Sequence, residues 1–230
     1  MSRSTDHLLK YYGGKGDYLK DHDLFLSSAN IQKDLVFLGK ALTLKKRDAI
    51  LDIACGQGRH VNALKEKGYD VDGVDFSAYL ITKAREGATI TKGSQPHYYK
   101  SNIERLALKR KYDKAYWFFS DLAGINIQKA LLSINKTIKK GGKVLIDTDN
   151  IFRIVSYLTH NPSSPFVFDA RAFELIEKKT KVRVPYPPYP LWSQWMKSSG
   201  FFVEHVWGGY DFSNYSVDSP RLILVIKKVA

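Results

Sequence analysis

An α/β fold built on a mostly parallel sheet is what this 230-residue sequence predicts. Three observations carry the prediction. Short apolar runs such as Ala49 to Ala54 and Val71 to Val74 read as buried strands. Segments of helical periodicity lie between such runs, as strand–helix–strand units require. The first run ends in a turn with glycine at two alternate positions, Gly56 and Gly58, and the second closes on Asp75. A strand, a glycine loop, a helix, a strand and an acid, in that order, form a unit that holds a nucleoside.

The elements follow in order. Residues 1–40 read as an N-terminal helical annex, with Ile31, Leu35, Leu38 and Leu42 at helical spacing so that the segment packs on the sheet. Tyr11, Tyr12, Gly13, Gly14 and Gly16 form an aromatic, glycine-rich patch just before that periodic stretch. Val61 and Leu64 mark the helix after the glycine loop. Ser77 is placed to N-cap the next one, which carries Leu80, Ile81 and Ala84. A short strand near His97 to Lys100 leads to Ser101-Asn102-Ile103. Tyr112 to Phe119 reads as the fourth strand and ends at Ser120-Asp121. Asn126 caps a helix with Ile127, Ala130, Leu131, Ile134 and Ile138 on one face. Gly141-Gly142 is expected to stop that helix before a fifth strand at Val144 to Ile146. Residues 151–188 form a long insertion that leaves the carboxyl end of the fifth strand, where it should cap the ligand edge. Pro190 opens a helix with Leu191, Trp192, Trp195 and Met196, and Gly200 ends it. Phe201 to Trp207 and Leu222 to Ile226 supply the last two strands.

The glycine loop has its own chemistry. Gly56 and Gly58 lack a Cβ, so the backbone there can take positive φ and approach a ligand closely. An acid at the tip of the second strand can accept hydrogen bonds from both ribose hydroxyls, and Asp75 stands at that tip. A dinucleotide fingerprint needs a third glycine for helix–strand packing, but that position is Val61. Asp52, at the end of the first strand, would repel a pyrophosphate and suit a ligand that carries cations. No Gly-Lys-Ser/Thr follows the loop, which excludes a P-loop.

Leu51-Asp52-Ile53-Ala54-Cys55-Gly56-Gln57-Gly58-Arg59 and Gly73-Val74-Asp75-Phe76-Ser77 resemble two motifs of one family. That family is the class I S-adenosylmethionine-dependent methyltransferases, of the small-molecule type with Asp-x-x-Cys-Gly-x-Gly-Arg. The resemblance spans residues 35–150, with a weaker echo at 189–229. It implies a Rossmann-like, mostly parallel seven-stranded sheet whose last strand is antiparallel. It implies S-adenosyl-L-methionine as cofactor and S-adenosyl-L-homocysteine as product. Cofactor contacts would come from Asp52, Ala54, Gly56, Gly58, Asp75, Phe76, Asn102, Ile103 and Phe119. Asn102-Ile103 stands where the family has Asp or Asn followed by an apolar residue. The side chain there meets the adenine amine, and the next backbone N–H meets a ring nitrogen. The family's N-terminal region often folds over the cofactor as a lid, which makes Tyr18 a candidate contact to the methionine end. Ile138-Lys139-Lys140-Gly141-Gly142 resembles the family's Leu-Lys-Pro-Gly-Gly turn, with lysine in place of proline.

Methyl transfer from a sulfonium is an in-line displacement that mainly needs positioning and exclusion of water. A base is needed only where the acceptor starts protonated. Asp149, Asp121 and Tyr210 are the candidate catalytic groups, with Asp147, Asn150 and Asp211 beside them at the same edge. Asp147 and Asp149 flank Thr148, so they share one face of the strand end. His60 lies in the first turn of the cofactor helix and reads as structural or as a neighbour of the cofactor. Cys55 lacks a Cys-His-Asn signature and reads as a compact side chain under the cofactor. Pro187-Pro188-Tyr189 resembles a base-methylating motif, but it lacks the leading Asn or Asp and does not follow the fourth strand. It reads as a loop. No cysteine or histidine spacing suggests a metal site.

The net charge of +13 suggests attraction to anions. Position weakens that inference. Lys45-Lys46-Arg47, Lys109-Arg110-Lys111 and Lys139-Lys140 each precede or open a strand, whereas ligands of open parallel sheets bind at the carboxyl ends. The insertion carries six Lys/Arg against three Asp/Glu, which fits an anionic small-molecule acceptor methylated on nitrogen or oxygen. Methylation of RNA or protein, or cofactor binding without catalysis, are the alternatives; the missing third glycine argues against a nicotinamide-dependent oxidoreductase. There is no run of 18 apolar residues, no apolar core of a signal peptide and only one cysteine. One cytoplasmic domain without a membrane partner is the expectation, with the oligomeric state left open.

Overall fold

The computed structural model describes residues 3–21, 28–88 and 95–229. β1 (Ala49–Ile53) is buried along its whole length. It lies between β2 (Asp70–Asp75) and β4 (Tyr112–Trp117), parallel to both. β3 (Tyr98–Lys100) pairs with β2, and β5 (Ile138–Asp149) pairs with β4, again parallel. The last strand, β10 (Arg221–Lys228), runs antiparallel to β5 and to β9 (Phe201–Trp207). The order β3-β2-β1-β4-β5-β10-β9 therefore has seven strands, of which only β10 is reversed. This is the sheet that the resemblance implied.

Successive side chains of a strand point to opposite faces, and the core divides accordingly. Ile50, Tyr116, Leu145 and Ile223 meet α3 (Ser28–Ala41), α4 (Arg59–Glu66) and α5 (Ala78–Glu86) on one face. Their neighbours Leu51, Trp117, Ile146 and Leu224 meet α6 (Ile127–Thr137) and α8 (Tyr189–Ser198) on the other. Leu35, Leu38 and Leu42 are buried, so the periodic part of the annex packs on the sheet as expected. Residues 22–27 of the annex lie outside the described residues. Ser77 and Asn126 cap α5 and α6 by accepting the N–H groups of Leu80 and Lys129.

Two boundaries differ from the sequence reading. α6 ends at Thr137, before the Gly141-Gly142 pair, because Ile138 is already extended and pairs with Tyr112 of β4. The glycines instead kink the start of β5, where Gly141 has φ 75° and a Cβ on Gly142 would sit 2.6 Å from the Ile138 side chain. β4 ends at Trp117, and Phe119 turns out of the strand with φ 52°.

The insertion has structure of its own. It holds α7 (Ile151–His160) and a separate antiparallel sheet of β6 (Phe166–Asp169), β7 (Glu174–Glu177) and β8 (Arg183–Pro185). Only Ile151 of α7 is buried, and none of these three strands contains a fully buried residue. At the other end of the chain, α1 (Arg3–Tyr11) and α2 (Tyr18–Asp21) precede α3. Among the described residues, no helix is long and apolar enough to cross a membrane. Replacing Asn126→Ala should remove the α6 cap and cost about 1 kcal/mol. The check is a lower denaturant midpoint at unchanged slope, with the sheet intact.

Candidate active site

Beyond β1 the chain turns through Ala54 (φ 58°), Gly56 (φ 55°) and Gly58 (φ 76°), all left-handed. β2 lies close to this turn because Gly73 is bare: a Cβ there would sit 2.8 Å from Cys55 Sγ. Burial pushes the Cys55 thiol well up, so it stays protonated and fills space. Asp75 closes the unit. Its Oδ2 accepts the Gly56 N–H at 2.9 Å and its Oδ1 accepts the Ser77 N–H at 2.8 Å. The Ser101 N–H donates to the Asp75 carbonyl at 2.9 Å, which brings Asn102 and Ile103 to the same edge. Asn102 is exposed, and its Oδ1 accepts the Glu104 N–H at 2.8 Å to cap a short 3-10 turn at Ile103–Arg105.

Asp52 is 3% exposed, and its Oδ2 has no hydrogen-bond partner. Burial pushes this carboxyl well above the usual range, against the pull of the Tyr116 hydroxyl and the Arg59 charge. The N-terminal segment covers the loop. A Cβ on Gly56 would meet the Tyr18 hydroxyl at 3.5 Å. Burial and the nearby Asp75 charge push the Tyr18 phenol up to about 12. Tyr18 packs against Tyr12 at 4.7 Å, and Tyr12 against Phe76 at 5.3 Å. Tyr12 also bridges the site. Its carbonyl accepts the Ser77 hydroxyl at 2.7 Å, and its own hydroxyl donates to Asp121.

A second cluster sits at the ends of β4 and β5. Asp147 is fully buried. Its Oδ1 accepts Arg221 Nε at 2.8 Å, and its Oδ2 accepts the Phe119 N–H at 3.0 Å and the Tyr210 hydroxyl at 3.1 Å. Burial raises the Asp147 carboxyl, and Arg221 opposes the rise most strongly. Arg221 also pairs with Asp149. Partial burial and the Asp147 charge push the Tyr210 phenol above its ordinary value. The Arg59 guanidinium lies 5.2 Å from the centre of the Phe119 ring and joins the two clusters. Tyr186, from the insertion, is half-buried near Asp149, and burial with the Asp149 charge pushes its phenol above the ordinary value.

The candidates for the donor thus assemble around one loop, and Phe119, Asp121, Asp149 and Tyr210 gather beside it. Asn150 is structural instead. Its Oδ1 accepts the Phe152 N–H to cap α7, and its Nδ2 donates to the Ser216, Val217 and Ser219 carbonyls. Asp211 folds its own turn onto Ser213. His60 is buried at 2.9 Å from Asp34, and burial lowers it. Sequence reasoning did not single out Arg221. The signal was present: an antiparallel last strand begins at the ligand edge, and Arg221 lies opposite Asp149 in register. Among the described residues, no group of His, Cys, Asp or Glu could hold a metal ion.

Fold and site together describe an α/β protein with a glycine loop and an acid at or next to the end of each of its first two strands. Residues 50–142 match the model of the methyltransferase domain. A putative methyltransferase of Bacillus subtilis, YqeM, is 22% identical over 81% of this chain and 86% of its own length. An uncharacterised protein of Methanocaldococcus jannaschii is 31% identical over 48% of this chain, which spans only 41% of that relative's length. An S-adenosylmethionine-dependent methyltransferase structure from Clostridium acetobutylicum superposes with a TM-score of 0.70 at 15% identity. That likeness covers 93% of this chain and 99% of the other, and it shows the fold. The matched stretch runs from β1 to the start of β5 and is similar to a methyltransferase domain.

The electrostatics of Asp52 carry a test. Its folded-state value lies above its unfolded one, so the folded state binds more protons between the two. Stability therefore falls as pH rises from the ordinary aspartate value near 3.8 toward the folded value. Asp52→Asn should flatten that slope and raise the stability at neutral pH. Thermal melts at pH 5 and pH 8 decide it; a lower Tm for the variant at pH 8 would sink the assignment.

Proposed function

We propose that this protein transfers the methyl group of S-adenosyl-L-methionine to a nitrogen or oxygen nucleophile of a small-molecule acceptor. One observation carries the donor half: Asp52 keeps an orphaned, buried carboxylate oxygen beside a loop whose glycines leave the backbone open. That oxygen fits an ammonium, and Asp75 retains lone pairs beyond those used by Gly56 and Ser77. The acceptor half is supported by the tyrosines that flank this edge. Tyr12 covers the edge from the N-terminal side, Tyr186 from the insertion and Tyr210 from the segment before β10.

Bound S-adenosyl-L-methionine supplies a methyl group already activated on sulfur. Asp52 would hold its ammonium and Asp75 its ribose hydroxyls. Asn102 and the Ile103 N–H would meet the adenine. Ala54, Gly56 and Gly58 let the backbone approach closely. Tyr18, Phe76 and Phe119 present ring faces that would suit a cation. Tyr210 donates its proton to Asp147, so its oxygen is left to accept a hydrogen bond from the acceptor and orient it. With its phenol this high, Tyr210 positions the acceptor rather than removing its proton. Asp149 and Asp121 are the carboxylates at hand to take a proton from an acceptor that starts protonated.

Calorimetric titration with S-adenosyl-L-homocysteine should show micromolar binding, with none of NAD. Asp75→Ala should weaken binding at least tenfold. It should also cost about 2 kcal/mol of stability, because two backbone N–H groups lose their acceptor. A folded Asp75→Ala protein of unchanged affinity refutes the ribose role. Labelled methyl incubated with fractionated cell extract should enter the small-molecule fraction; label in RNA or protein would favour a macromolecular acceptor.

A further inference from the structure

A groove of about 410 Å³ opens between α7 and β6. Val155 and Leu158 line it from α7, and Phe166 and Phe168 from β6. Lys178 stands in its wall. Its Nζ donates to the Ser164 carbonyl at 2.7 Å, which leaves two of its three N–H donors for another partner. The apolar lining is under-buried: Val155 is 39% and Phe166 36% exposed. A short helix and a three-stranded sheet with so little core gain stability from whatever fills the space between them. Lys178 is the one charged residue of the lining, so an anion complements it.

We infer that this groove binds a free amphiphilic anion, an alkyl or aryl body seated between α7 and β6 with its carboxylate, sulfonate or phosphate on Lys178. A volume of this size suits one small molecule lined by apolar groups with a few placed polar ones. The site stands on its own residues and does not depend on the methyl-transfer reading.

Calorimetry with decanoate and with decyltrimethylammonium, both below their micelle concentrations, tests it. Decanoate should bind at least tenfold tighter than the cation. Lys178→Glu should reverse that preference, and Val155→Asp should abolish binding of both. Near-UV circular dichroism and the affinity for S-adenosyl-L-homocysteine should not move in either variant. No decanoate binding, equal binding by Val155→Asp, or binding only to vesicles of anionic lipid would each overturn the inference. So would a dimer in size-exclusion chromatography that Val155→Asp dissociates, because a second copy would then be what covers the groove.

Discussion

One carboxylate, that of Asp75, ties the turn after β1 to the start of α5 by accepting the Gly56 and Ser77 N–H groups. Both donors would otherwise be buried without partners, at a cost of about 1–3 kcal/mol each. The clasp works only if β2 lies against the glycine loop, and that requires Gly73 to be bare beside Cys55. The register places Gly73 opposite Asp52, so the close approach and the orphaned acid are set by the same strand pair. The left-handed loop, the cap of α5 and the placement of Asn102 all follow from this contact.

Asp147 performs the corresponding task at the ends of β4 and β5. A fully buried carboxylate is costly unless it is paired and hydrogen-bonded. Asp147 meets that demand with Arg221, the Phe119 N–H and the Tyr210 hydroxyl. In doing so it fixes the left-handed Phe119, the side chain of Tyr210 and the start of β10. Reversal of the last strand is therefore part of the site: a parallel β10 would begin at the far edge and leave Asp147 without its cation.

The sheet was legible in the sequence because each strand and helix announced its buried face, and Ser77 and Asn126 announced their caps. The glycine loop and Asp75 were legible because bare backbone and a strand-end acid answer to local chemistry. Arg221 was harder to find, because its partners Asp147 and Asp149 are more than 70 residues away in sequence. Asn150 misled for a related reason. It stands in sequence beside Asp149, yet its side chain is committed to α7 and to the turn at 216–219. Gly141-Gly142 misled because two glycines end a helix or kink a strand equally well, and only the pairing of Ile138 with β4 decides between them. The second sheet, β6 to β8, lacks the buried alternation that would have marked it.

Net charge is a poor guide to this site because the two edges of the sheet differ in sign. The basic clusters at 45–47, 109–111 and 139–140 lie where strands begin, and several of these cations already have partners. Lys46 and Lys111 donate to the Lys67 and Lys136 carbonyls at helix ends, where a cation also complements the helix dipole. Arg110 is taken up by Asp70 and Asp72, and Lys139 by Asp113. The opposite edge gathers Asp52, Asp75, Asp121, Asp147 and Asp149 against Arg59 and Arg221. An acidic, aromatic edge therefore sits on a chain whose overall charge is +13. Distance and intervening apolar layers keep the two fields apart, since charges more than about 8–10 Å away across solvent are largely screened at physiological salt.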